Sequence, residues 1–117
     1  TLVNVTPEQT VAEQDAAHGK DLFGSNPALC CRLRKVEPLA RTLSGYSAWV
    51  TGLRRVEAPT RANAPLISFD EQFGLVKVNA IAAWSDEEFH AYIAANNVLV
   101  NPLIDEGYPS IGCAPCT

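Results

Sequence analysis

Two cysteine clusters constrain this chain more than any other feature of it: the adjacent pair Cys30-Cys31 and, near the opposite end, Cys113-Ala114-Pro115-Cys116. Four thiols in two clusters read as a metal site. Zinc suits four thiolates, but zinc ribbons and fingers space each pair by two to four residues so that both sulfurs reach one ion. Adjacent cysteines would close a small, strained chelate ring on a single zinc. A four-iron cluster relaxes that demand because neighbouring sulfurs bind different irons. The spacing therefore favours a [4Fe–4S] cluster over zinc, with a redox-active Cys113–Cys116 dithiol and four buried core cysteines as the other readings. A disulfide framework is the weaker alternative, since no basic and then apolar secretory leader opens the chain and reduced thiols are the rule in the cytoplasm.

Cations accompany the first cluster. Arg34 follows Cys30 by four residues and Lys35 follows Cys31 by four, which on a helix places each over its cysteine's face. Four thiolates leave a [4Fe–4S] centre negative, so such cations would stabilise it; the plain alternative is that both face water. The wider charge pattern agrees. The net charge is −4, yet the segment from Arg32 to Arg61 holds seven of the nine basic residues against Glu37 and Glu57, so it is +5 and the remainder −9. Nucleic-acid binding usually demands a basic domain, and is not expected. Converging arginines do suit a small phosphate- or sulfate-bearing ligand, although from charge alone a solvated face with packed arginine stems is the favoured reading.

A chain of 117 residues makes one domain, and 47% apolar with 19% charged residues is a globular composition that excludes disorder, collagen and coiled coil. No apolar run approaches the length of a membrane span. The order of elements reads as mixed α/β. Thr6-Pro7-Glu8-Gln9 predicts a capping-box helix start, with the helix running to about Phe23. A second helical stretch is expected over Ala28–Glu37, broken at Pro38 and resumed over Leu39–Leu43. Strands are expected over Tyr46–Leu53, Leu66–Phe69 and Leu75–Val78, with Asp70–Gly74 as a turn. Ser85-Asp86-Glu87-Glu88 caps a further helix to about Asn96, and the residues from Asn101 onward are a shaped loop. Leu2–Val5 reads as the end of a strand. His18 and His90 have no partner at ligand spacing, Trp49 and Trp84 read as packing residues, and Asp86 with Glu88 does not suggest acid–base catalysis.

Taken in order, Cys30-Cys31-Arg32-Leu33-Arg34-Lys35-Val36-Glu37-Pro38-Leu39, then Trp49-Val50-Thr51-Gly52-Leu53-Arg54-Arg55, Pro59-Thr60-Arg61 and Gly107-Tyr108-Pro109-Ser110-Ile111-Gly112-Cys113-Ala114-Pro115-Cys116-Thr117 closely resemble the assimilatory adenosine 5′-phosphosulfate (APS) reductases, relatives of the 3′-phospho-APS (PAPS) reductases. The paired cysteines with Cys-x-x-Cys carry the distinction, because PAPS reductases without a cluster lack them. The resemblance implies an adenine nucleotide α-hydrolase-like α/β fold, partially represented, in a cytoplasmic enzyme of sulfate assimilation. It implies Cys30, Cys31, Cys113 and Cys116 as ligands of a [4Fe–4S] cluster and Lys35 as the lysine between cluster and substrate. Arg61 would grip the phosphosulfate, Gly52 would lie where backbone approaches the adenosine, and Arg54 and Arg55 match the family's paired arginines.

In that family a cysteine thiolate attacks the sulfate sulfur of APS, expels AMP and leaves an S-sulfocysteine, from which thioredoxin releases sulfite. The N-terminal phosphate-loop half and the C-terminal tail with the nucleophilic cysteine have no counterpart here, so residues 1–117 are expected to be a single domain within a longer reductase, with no catalytic residue of their own. Ala80, where relatives often carry proline, is a minor difference. The partners implied are APS and thioredoxin, without nucleic acid or membrane, and a homo-oligomer is left open. PAPS as substrate and a non-catalytic zinc-binding module holding an anion are the alternative readings.

Overall fold

A computed structural model describes all 117 residues. Helices lead: α1 Val11–His18, α2 Leu22–Ser25 and α3 Pro27–Cys31, then a wide turn over Arg32–Val36 that leads into α4 Glu37–Leu43. Strands β1 Ala48–Thr51, β2 Ile67–Asp70 and β3 Leu75–Asn79 follow, and α5 Asp86–Ala95 precedes a tail with two short 3₁₀ turns. The chain divides into two compact units, residues 1–47 with Cys116 and residues 48–115 with Thr117. No helix is long and apolar enough to cross a membrane.

In the first unit the expected helix start at Thr6 is displaced to Thr10. Thr10 Oγ1 accepts from the Glu13 amide at 3.2 Å, and Glu13 Oε2 accepts from the Thr10 amide at 2.8 Å. This box wins because its third residue is a carboxylate, which the helix N-terminus favours over the glutamine of the earlier one. The residues before it form no helix and are held by Arg41, which donates to the Thr6 carbonyl at 2.8 Å and to Glu8 at 3.4 Å. Leu2–Val5 forms no strand, and Leu2 and Val3 are exposed. The helix also ends before Phe23, at Gly19, whose φ of 90° is open to glycine but strained for other residues.

The expected break at Pro38 does not occur. Asn26 caps α3, its Oδ1 accepting from the Leu29 amide at 3.1 Å, and the chain stays helical through Leu43. What makes room is the wide turn, a π-helical segment in which the Glu37 amide donates to the Arg32 carbonyl five residues back. An ordinary turn would drive the proline ring into the carbonyl four residues earlier. Leu22, Leu43 and the polar Gln14 are the buried side chains around which this unit closes, along with Pro38.

The second unit is built on a three-stranded sheet of order β1-β3-β2, with β1 parallel and β2 antiparallel to β3. The β2–β3 turn forms where expected: Asp70 Oδ1 accepts from the Gln72 and Phe73 amides, and Gly74 takes φ 70°. The strands are shorter than expected at β1, four residues against eight. The register puts Trp49, Ser68, Leu75, Lys77 and Asn79 on one face, where Leu75 and Asn79 are buried. The other face carries Ala48, Val50, Ile67, Phe69, Val76 and Val78. Val50, Ile67 and Phe69 there are 68%, 67% and 64% exposed. α5 begins where expected, with Ser85 and Glu88 exchanging capping bonds at 3.1 and 2.9 Å.

Candidate cluster and anion site

The carboxyl end of β1 is tied across the sheet to that of β3. Thr51 donates its hydroxyl to Asn79 Oδ1, and Asn79 Nδ2 donates to the Pro65 carbonyl at 2.8 Å. Asn79 is buried, so both halves of its amide are satisfied by these bonds. Ligands of open α/β sheets bind beyond the carboxyl ends of parallel strands. The segment that leaves β1 there is Gly52-Leu53-Arg54-Arg55, continuing to Arg61, so four of the five candidate substrate contacts lie on one connection.

Their side chains do different things. Gly52 is exposed, with no atom within 4 Å of where a Cβ would project, so backbone is open to close approach. Arg54 is buried, with Asp86 Oδ1 accepting at 2.8 Å, Glu57 Oε1 at 3.6 Å from its Nε, and the Phe89 ring 4.1 Å from its guanidinium carbon. Its charge is committed within the protein. Arg55 anchors the connection, donating from Nε to the Ala64 carbonyl at 2.8 Å and from its amide to the Ala82 carbonyl at 2.9 Å. Arg61 is exposed and pairs with Glu57 Oε2. Glu57, read in the sequence only as an opposing charge, thus serves both arginines: Oε1 faces the Arg54 guanidinium, and Oε2 pairs with Arg61 and accepts from the Arg54 amide at 3.3 Å.

In the first unit, Lys35 is the one cation of the basic block whose side chain has no ion pair or hydrogen bond, and it is exposed. Arg34, within the π turn, is half-buried. Its Nη1 donates to the Gln9 carbonyl at 3.4 Å and to Gln14 Oε1 at 3.3 Å. Gln14 Nε2 in turn faces Cys30 Sγ at 4.0 Å. Neither the spacing nor the composition singled out Gln14; the signal that could have found it is a lone amide on the core-facing side of α1. Of the histidines, His90 Nδ1 lies 2.7 Å from the Asp86 carbonyl oxygen, and Trp84 packs on Tyr92 at 5.2 Å between ring centroids.

All four cysteines are free thiols, Cys30 and Cys113 half-buried and Cys31 and Cys116 exposed. Three of them, Cys30, Cys31 and Cys116, belong to the first compact unit, and Cys113 to the second. Around the second cluster Thr117 Oγ1 accepts from the Gly112 amide and donates to the Cys113 carbonyl, both at 2.9 Å. No three side chains of His, Cys, Asp or Glu converge as a single-ion ligand group. None of the four thiols is committed to a disulfide, so each is free to act as a thiolate ligand.

The whole chain, residues 1–117, matches the family described as the phosphoadenosine phosphosulfate reductase domain. Proteins named adenosine 5′-phosphosulfate reductase from Mycobacteroides abscessus and Mycobacterium tuberculosis are each 74% identical to it over 116 residues, and one from Rhodococcus opacus is 71% identical. Each alignment takes in 99% of this chain but only 49%, 46% and 47% of the respective relative, so the chain spans about half their length. Among solved structures, a phosphoadenylyl-sulfate reductase from Candida auris in complex with phosphate superposes with a TM-score of 0.77 at 34% identity, over 95% of this chain and 54% of that one.

Proposed function

Because the chain belongs to the phosphoadenosine phosphosulfate reductase domain family, we propose that it is the cluster- and anion-binding part of a cytoplasmic APS reductase that releases sulfite and AMP with thioredoxin as reductant. The observation that carries this reading is the 74% identity, across 99% of the chain, to proteins named as APS reductases. The neighbour named as a PAPS reductase is 34% identical, which favours APS as the substrate.

Cys30, Cys31, Cys113 and Cys116 would hold a [4Fe–4S] cluster, which supplies a polarising charge beside the substrate. Lys35, without an internal partner, is available to the phosphosulfate anion. Arg61 has only an exposed carboxylate partner to exchange for phosphate, and a forked guanidinium–phosphate contact is stronger than an exposed ion pair. The open backbone at Gly52 suits a flat base lying close. Arg54 and Arg55 act by shaping this connection, Arg54 from beneath it and Arg55 through backbone carbonyls. These groups bind and orient the anion and offset charge that develops on the phosphate as AMP leaves. The attacking thiolate, the S-sulfocysteine and the thioredoxin contact belong to sequence beyond the four ligand cysteines.

Sulfite release by the full-length protein tests the reading. APS with thioredoxin should be turned over with a kcat/KM well above that for PAPS. A preference for PAPS would move the chain to the sister activity, and zinc at the cysteines with no turnover of either would favour the non-catalytic module.

A further inference from the structure

We propose that Gln14 is a positioning residue for Cys30, relaying the charge of Arg34 to that cysteine's sulfur through its side-chain amide. The inference rests on the cluster reading above and adds to it a residue that no motif marks. Gln14 is 4% exposed on a helix most of whose residues face solvent. A buried carboxamide has to place two donors and an acceptor. Its oxygen accepts from Arg34 Nη1 at 3.3 Å, and its nitrogen lies 4.0 Å from Cys30 Sγ. The orientation follows from chemistry: a guanidinium has only donors, so the amide oxygen must face Arg34 and the NH₂ must face the sulfur.

The arrangement is fixed from both sides. Thr10 and Glu13 lock the first turn of α1, and the carbonyl of Gln9, the residue before that cap, takes a second contact from Arg34 at 3.4 Å. On the other side, Cys30 lies in the last turn of α3, which runs on through Cys31 into the π turn that carries Arg34. A neutral thiol is a weak acceptor, and 4.0 Å is a long contact. A thiolate ligand is a far better one, and charge-assisted hydrogen bonds shorten. Arg34 polarises the amide in the sense that strengthens its N–H donor. Hydrogen bonds to ligand sulfurs raise the potential of an iron–sulfur cluster and hold the ligand in place.

The test uses the full-length protein with Gln14→Glu and Gln14→Met, both checked for an unchanged far-ultraviolet spectrum. Glutamate still accepts from Arg34 but has no donor for the sulfur; methionine keeps the length and offers neither. Both should release iron to a chelator roughly two- to tenfold faster than wild type, the range expected for one lost hydrogen bond, and both should shift the cluster midpoint potential negative. Wild-type behaviour of Gln14→Glu alongside a defective Gln14→Met would reduce Gln14 to a support for Arg34 and overturn the proposal. So would two variants that match wild type. If wild-type protein holds no cluster, that reading falls by itself, and a double-mutant cycle of Gln14→Met with Cys30→Ala in urea unfolding decides the contact: non-additive losses support it and additive losses overturn it.

Discussion

At the scale of single residues, two arginines seven positions apart do opposite work. Arg54 is buried between Glu57, Asp86 and the Phe89 ring, whereas Arg61 is exposed with one carboxylate partner. Arg54→Met should therefore lower the unfolding free energy by about 1–3 kcal/mol, a range set by losing a hydrogen-bonded buried charge whose partner Asp86 remains largely in water. Arg61→Ala should change stability by less than about 0.5 kcal/mol, yet weaken APS binding roughly tenfold or more. Urea unfolding alongside APS titration of the full-length protein checks both. Equal losses of stability in the two variants would contradict the division of roles. Spacing alone made the two arginines equivalent, because sequence does not reveal which guanidinium has carboxylates waiting for it.

At the scale of elements, the caps decide where helices begin. Thr10→Ala should cost about 1 kcal/mol through loss of the capping bond to the Glu13 amide. The Thr10 backbone N–H, and then its hydroxyl, hold the Glu13 carboxyl below the usual carboxylate range. Its folded pKa is depressed, so its contribution is present above the unfolded value and disappears as pH falls through the folded one. Amide protection factors in α1, each rate taken relative to the intrinsic rate at the same pH, should fall on acidification across that range, and Glu13→Gln should abolish the dependence; protection factors that do not change with pH would count against the box. Much of the element order was legible: the sheet's strands, the Asp70–Gly74 turn and the Ser85 cap lie where turn and capping chemistry put them. Two errors have one source. Thr6 and Thr10 both begin capping-box sequences, and Pro38 both ends helices and tolerates a widened turn before it. The Glu13 carboxylate settles the first and the widened turn over Arg32–Val36 the second, and neither outcome is contained in the residues around Thr6 or Pro38 alone. The candidate site shows the same limit, since the four cysteines stand out by spacing while Gln14 and Glu57 matter only through what they touch.

At the scale of the molecule, one face of the sheet is apolar and open to water. Val50 on β1 and Ile67 and Phe69 on β2 flank Val76 and Val78 of the central strand on it. A patch of that kind on a soluble domain marks a surface meant to be covered. The 117-residue chain alone should bind a hydrophobic dye such as ANS, and Phe69→Ser should cut that signal while costing less than about 1 kcal/mol, since little burial is lost. The full-length protein, about twice as long in its relatives, should bind far less dye per chain. Equal dye binding by the two would mean that the face serves something else.

Metal content tests most directly the proposal that Cys30, Cys31, Cys113 and Cys116 together hold an iron–sulfur cluster. Full-length protein purified without oxygen should carry about four irons and four acid-labile sulfides per chain, with the broad visible absorption of a cluster, and Cys113→Ser should lose them. Stoichiometric zinc without sulfide in the wild type, or iron and sulfide fully retained in Cys113→Ser, would contradict it.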